Sequence, residues 1–310
     1  MREFLRSRPV ATSLVAVAAA LWGMDALLRK PLAQSTSVAT IVFGEHLVLV
    51  LLVLPLLVPA LVAAYRLGWR YVAAAVAIGA GASAIATILF TQAFVDGDPV
   101  TPVVIQKVQP LVAVLGARLI LGERPHQRFF AWYFVPALVG TWLTAFPHPT
   151  SITTKSTLLP SLYALAAAVL WAFGTVLGRY LTREMRFEHV TALRFGFGLP
   201  ASAIALLVLG APAFASAHDS LWIAVLAIVT GLVAMSLYYF GLQNTPAVAA
   251  TLAELAFPVT AVLVGYFKFG AALSASQWVG VAMTSLVVAL LPARPRGTVD
   301  VPPVPAVAPA

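Results

Sequence analysis

The stretch AAALWGMDALLRKPL at residues 18–32 returns as AAVLWAFGTVLGRYL at residues 167–181. Trp22 falls on Trp171, and Lys30 on Arg179. Further along, TIVFG at residues 40–44 is answered by ALRFG at 192–196. Gln106-Lys107-Val108-Gln109-Pro110 is answered by Glu254-Leu255-Ala256-Phe257-Pro258, and Leu121-Gly122 by Phe269-Gly270. The matches keep the same order in both halves, so the chain reads as one unit written twice.

The matched stretches lie in a very apolar chain. Of 310 residues, 61% are apolar and 10% are charged, with a mean hydropathy of +0.95. A soluble domain is about a quarter charged, so the solvent for this surface is lipid. Crossing the hydrocarbon takes about 20 apolar residues. Ten such segments run over Val10–Leu28, Val38–Ala60, Val72–Phe94, Thr101–Ile120 and Phe130–Phe146, then Leu159–Leu177, Val190–Leu209, Leu221–Leu242, Ala247–Phe267 and Gln277–Leu291. A β-barrel would show alternating segments of about ten residues instead. The predicted fold is an all-α membrane protein of ten transmembrane helices. Residues 1–9 form a cytoplasmic lead-in, 10–146 and 159–291 two five-helix repeats, and 292–310 a disordered Pro-rich tail.

Five is odd, so the second repeat enters the membrane from the opposite side. Such inverted repeats are typical of secondary transporters, where the halves exchange roles between two conformations. Basic residues set the orientation. With a cytoplasmic N-terminus, thirteen of the nineteen Lys and Arg residues fall inside: Arg2, Arg6, Arg8, Arg66, Arg70, Arg118, Arg124, Arg128, Arg179, Arg183, Arg186, Arg294 and Arg296. Four fall outside (Arg29, Lys30, Lys155 and Lys268), while Lys107 and Arg194 lie within segments. Both termini are therefore expected in the cytoplasm. The formal charge of +8 follows from this distribution and implies no nucleic-acid partner.

An ionisable side chain inside a span costs about 2.5–3.5 kcal/mol on insertion scales, so each is a candidate functional residue. Asp25 stands one helical turn before Arg29, which allows either an ion pair or a substrate-facing role. Glu45 is a candidate proton site; the structural alternative pairs it with Lys107. His46 is read as a hydrogen-bonded packing residue. No second His or acid stands three or four residues from it, so no metal site is expected. Lys107 follows Gln106 and precedes Pro110, which removes the hydrogen bond to the Gln106 carbonyl. Irregular polar backbone at membrane depth is tolerated where it lines a cavity, and an ammonium there suits a substrate carboxylate. Glu254 precedes Pro258 by one turn and is the candidate proton-coupling residue; the alternative pairs it with Arg194, which can also snorkel to the headgroups. Trp22, Trp171 and Tyr239 complete the candidate substrate-binding set with Lys107, Gln106 and Asp25. Symmetric packing is the competing role for the two tryptophans.

These motifs resemble the EamA-type ten-helix members of the drug/metabolite transporter superfamily. The resemblance rests on Leu21-Trp22-Gly23 with basic residues at the end of the first segment, Phe43-Gly44 in the second, Pro110 in the fourth and Leu121-Gly122-Glu123 after it. It covers about residues 10–293 and departs at Phe269-Gly270-Ala271, where the family often has a Gly-Glu pair. It implies export or exchange of small metabolites, often amino acids or amphipathic compounds, in a bacterial plasma membrane, without a cofactor. No G-x-x-x-x-G-K-[ST] phosphate loop is present, so coupling to protons or to a counter-substrate is expected. Two other classes compete. A membrane-embedded enzyme acting on lipid needs a nucleophile with its base, and no Ser–His or HExxH arrangement is evident. A passive channel needs a filter or a ring of like charge, and neither is visible.

Overall fold

The computed structural model describes residues 7–96, 105–146, 148, 158–294 and 297–302, with backbone only at Ala26, Lys30, Phe94 and Val95. Among these residues eight helices are long and apolar enough to cross a membrane: Arg8–Ser35, Val38–Leu67, Trp69–Ala93, Leu158–Thr182, Phe187–Val208, Ala217–Leu242, Ala247–Phe269 and Ala275–Ala293. They correspond to the first, second, third and sixth to tenth segments. The fourth holds a shorter helix, Gln109–Leu121, and its expected start over residues 101–104 lies outside the described residues. In the fifth place, Gln127–Phe129, Phe130–Phe134 and Val135–Ala145 follow one another without a break. The protein is an all-α membrane protein.

Local chemistry sets where the helices begin and break. Ser37, Ser216 and Ser274 cap helix starts by accepting a backbone N–H three residues on, and Gln277 completes a capping box with Ser274. Pro55 and Pro59 sit inside the second helix, which nevertheless continues past the expected Ala60 to Leu67. The first segment is two helices, Arg8–Gly23 and Ala26–Ser35, joined by a turn at Met24-Asp25. The ninth is also broken: Ala247–Ala253 gives way at Glu254-Leu255 to Ala256–Phe269. In the fourth, the turn falls at Lys107-Val108, just before Pro110. The third and eighth carry π-helical stretches, Ala77–Ile85 and Ala227–Val233. Such stretches leave backbone carbonyls without their usual partner and occur often at functional sites.

Helix pairing keeps its pattern under an offset of five segments. The second segment packs on the seventh, the fifth on the tenth and the fourth on the ninth. The first packs on the eighth as the sixth does on the third, and the first on the ninth as the sixth on the fourth. Advancing every segment by five carries this set of neighbours onto itself. Small residues permit the approach, since lipid offers no hydrophobic drive between helices. In the fifth and tenth segments the four-residue spacing Gly140–Thr144 is repeated as Gly280–Thr284. A Cβ on Gly140 would lie 2.6 Å from Thr284 Oγ1, and one on Gly280 would overlap the backbone of Leu143 and Thr144.

The tail departs from the disordered reading. Leu291–Ala293 closes the last helix with a 3-10 turn. Val299–Asp300 then pairs antiparallel with Arg124–Pro125, and the His126 N–H donates to the Thr298 carbonyl at 2.9 Å. The loop after the fourth segment carries unpaired backbone groups, and this part of the tail satisfies them. Residues 303–310 lie outside the described residues.

Candidate functional site

A cavity of about 680 Å³ opens among the broken and π-containing segments. Every candidate site residue from the sequence lines it except Tyr239. Its walls include Trp22, Asp25, Glu45, Gln106, Lys107, Trp171 and Glu254, joined by Arg29, Arg194 and Tyr238. The helix breaks explain the concentration of polarity. Each turn frees backbone groups and aims side chains into a space where they escape lipid.

Arg29 organises one side. Its Nε lies 2.5 Å from Asp25 Oδ2, and its Nη2 donates to Glu45 Oε1 at 2.9 Å and its Nη1 to Oε2 at 3.1 Å. The Asp25–Arg29 pair expected from the one-turn spacing is present. The alternative Glu45–Lys107 pair is not found among the described residues; Arg29 takes Glu45. Arg29, counted among the outer basic residues in the sequence, lines the cavity wall beyond the turn at Met24-Asp25. Asp25 also accepts from the Thr230 hydroxyl at 3.2 Å.

Glu254 forms the other carboxylate site. Its Oε1 accepts from the hydroxyls of Tyr238 and Thr175, each at 2.8 Å, and its Oε2 from Gln109 Nε2 at 3.2 Å. Among the described residues it has no cationic partner within ion-pair distance. Arg194 points its donors elsewhere, Nη1 to the Tyr239 hydroxyl and Nη2 to the Ala82 carbonyl, both at 3.2 Å. It therefore neither pairs with Glu254 nor snorkels. Ala82 lies in the π stretch of the third segment. In the eighth, the Thr230 carbonyl accepts from Trp22 Nε1 at 3.0 Å. The π stretches of the third and eighth segments thus each offer a carbonyl to a side chain of the cavity wall.

Lys107 sits in the fourth-segment turn and, among the described residues, makes no ion pair. Thr251, one turn before Glu254, keeps a buried hydroxyl without a partner among the described residues. The ionisable groups balance: Asp25, Glu45 and Glu254 against Arg29, Lys107 and Arg194. Flat surfaces flank them. The Trp22 and Tyr238 ring centroids lie 5.1 Å apart, and those of Phe90 and Trp171 4.9 Å.

Tyr239 lies behind the wall, fully buried, where its hydroxyl meets Arg194. Tyr238 occupies the cavity face instead. The signal that separates the two is Gly241, whose Cα lies against Ala11 and Val15 of the first segment; three residues back on the same helix face stands Tyr238. His46 behaves as a packing residue. Its Nδ1 lies 2.8 Å from the Val42 carbonyl and its Nε2 3.1 Å from Ser83 Oγ, and its ring fills the space beside Gly198. Among the described residues no group of acids and histidines is placed to hold a metal.

Residues 158–291 match the EamA-like transporter family. Riboflavin transporter ImpX of Fusobacterium nucleatum subsp. nucleatum (strain ATCC 23726 / VPI 4351) is 32% identical over 277 residues, covering 85% of this chain and 91% of that protein. The chain belongs to the EamA-like transporter family. The uncharacterized transporter YwfM of Bacillus subtilis (strain 168) is another relative, 29% identical over 220 residues, 67% of this chain and 69% of that one. A solved crystal structure shares the fold at 19% identity, with a TM-score of 0.68 over 90% of this chain and 95% of the other. The enzyme reading falls away, since the family and both named relatives are transporters. In this EamA-like transporter the cavity is lined mainly by apolar groups, with ionisable side chains set among them.

Proposed function

We propose that this EamA-like transporter is a secondary transporter in which two inverted five-segment halves alternate access to the cavity. The observation that carries this reading is the cavity itself, which places three carboxylates, three Lys and Arg side chains and six Phe, Trp and Tyr rings inside an apolar bundle. Support for the inverted repeat comes from the helix pairing, which is unchanged when the halves are exchanged.

The substrate is a small amphipathic metabolite without large net charge, because the wall charges balance. Trp22, Phe90, Trp171 and Tyr238 suit a flat ring system, while Lys107, Gln106 and the Thr251 hydroxyl supply polar contacts. Riboflavin, named for the relative, combines a flat heterocycle with a polyol and is the first solute to test. An aromatic amino acid, whose carboxylate would meet Lys107 and whose amine would meet Glu254, is the second. Export or exchange is driven by protons or a counter-substrate, with Glu254 as the coupling group and Glu45 as the reserve candidate. The test is uptake by proteoliposomes preloaded with the same solute, with and without a pH gradient.

A further inference from the structure

Away from the cavity lining, four segments meet on one carboxylate. Glu123 is fully buried. Its Oε1 lies 3.2 Å from Arg183 Nη2 and 3.8 Å from Arg179 Nε, and its Oε2 accepts the Val248 N–H at 3.2 Å. Arg183 also donates to the Leu121 carbonyl at 3.3 Å. Arg179 donates to the carbonyls of Leu242, at 2.8 Å, and Gln243. The ends of the fourth, sixth and eighth segments and the start of the ninth are thereby tied together. Ala247–Ala253, all buried, runs as a short strut from this clamp to Glu254 in the cavity.

The repeat shows what the opposite end lacks. Gly122 and Gly270 both end helices in the left-handed region, at φ 68° and 66°. Glu123 N–H bonds the Ala117 carbonyl at 3.1 Å, as Ala271 N–H bonds the Gly265 carbonyl at 3.0 Å. Position 271 is therefore the structural counterpart of Glu123, and it is alanine. The partner of Glu123, Arg179, is matched in sequence by Lys30, so the other half keeps the cation and lacks the carboxylate.

We propose that Glu123 is a one-sided gate residue: it clamps this end shut and, with no counterpart at position 271, biases the transporter toward the conformation seen here. A buried carboxylate bridging two guanidiniums is costly to break by removing one partner. The strut places the gate in mechanical contact with the coupling carboxylate. The proposal rests on the alternating-access reading.

The chain contains no cysteine, so single cysteines can report access. Thr87 lines the cavity, and Thr245 is buried at the clamped end. Labelling of Thr87→Cys and Thr245→Cys with a maleimide is measured on purified protein in detergent. Adding Glu123→Gln is expected to slow labelling at 87 and speed it at 245, changing the ratio roughly fivefold or more. Should that variant fail to fold, Ala271→Glu carries the test on the intact clamp; a carboxylate there is expected to change the ratio in the same direction. An unchanged ratio, or faster labelling at both positions together, overturns the proposal. Solute counterflow by the parent is read separately: counterflow with an unchanged ratio overturns the clamp alone, and absence of counterflow overturns the transport reading.

Discussion

The Tyr238 hydroxyl donates to Glu254 Oε1 at 2.8 Å, and Arg194, the alternative partner for Glu254, bonds Tyr239 instead. This carboxyl is held by neutral donors only. Glu254→Gln keeps an acceptor oxygen for Tyr238 and Thr175 and strands no cation. It is expected to cost no more than about 1 kcal/mol of stability. Solute exchange should persist while proton-driven accumulation is lost. Melting temperature, exchange and pH-gradient-driven flux on this one variant check the assignment; undiminished accumulation would move the coupling role to Glu45.

Lys107 stands in the turn before Pro110 with no carboxylate partner among the described residues. Its replacement by alanine should leave the folded protein as stable as the parent. Transport should fall roughly tenfold or more, the worth of one charge-assisted hydrogen bond to a solute. Initial rates and thermal melting of Lys107→Ala separate a solute contact from a packing role.

Arg29 is shared by Asp25 and Glu45. Removing it alone, as Arg29→Gln, leaves two carboxylates facing each other without a cation, and a loss of about 3–5 kcal/mol is expected. Combining it with Asp25→Asn and Glu45→Gln should recover most of that loss. Melting curves in detergent for the single and triple variants give the comparison.

Gly140 and Gly280 mark the crossing of the fifth and tenth segments. Gly280→Val places a branched side chain where the backbone of Leu143 and Thr144 already lies. Overpacking of this kind costs about 1–3 kcal/mol, and more where backbone must move. The variant is expected to yield little monodisperse protein on gel filtration, whereas Gly265→Ala, whose added Cβ would meet only Ala271 Cβ at 3.8 Å, should be tolerated much better.

The apolar all-α fold was legible from long uncharged segments, and the repeat is proposed on LWG and its basic terminus, short signals that recur in both halves. The break before Pro110 was legible too, since a missing N–H can be read from a single letter. Arg29 was not. Counting basic residues uses Arg29 only as a topology charge, and nothing in LWGMDALLRK announces that Asp25 and Glu45 share it in the cavity wall. Tyr238 and Tyr239 are adjacent, and only the packing of Gly241 against the first segment tells which one faces the cavity. The strand at Val299–Asp300 depends on unpaired backbone at Arg124–Pro125, a tertiary contact with no local signature in a Pro-rich tail.

The central claim is that the cavity of Trp22, Lys107 and Glu254 carries a solute across the membrane by alternating access. Counterflow tests it most directly. Proteoliposomes holding the purified protein are loaded with unlabelled riboflavin, or in parallel with an aromatic amino acid, and diluted into a trace of the labelled solute. The account predicts transient accumulation of label above the outside concentration for one of the two, abolished by Lys107→Ala. Simple equilibration of label without overshoot, equal in protein-free vesicles, would contradict it.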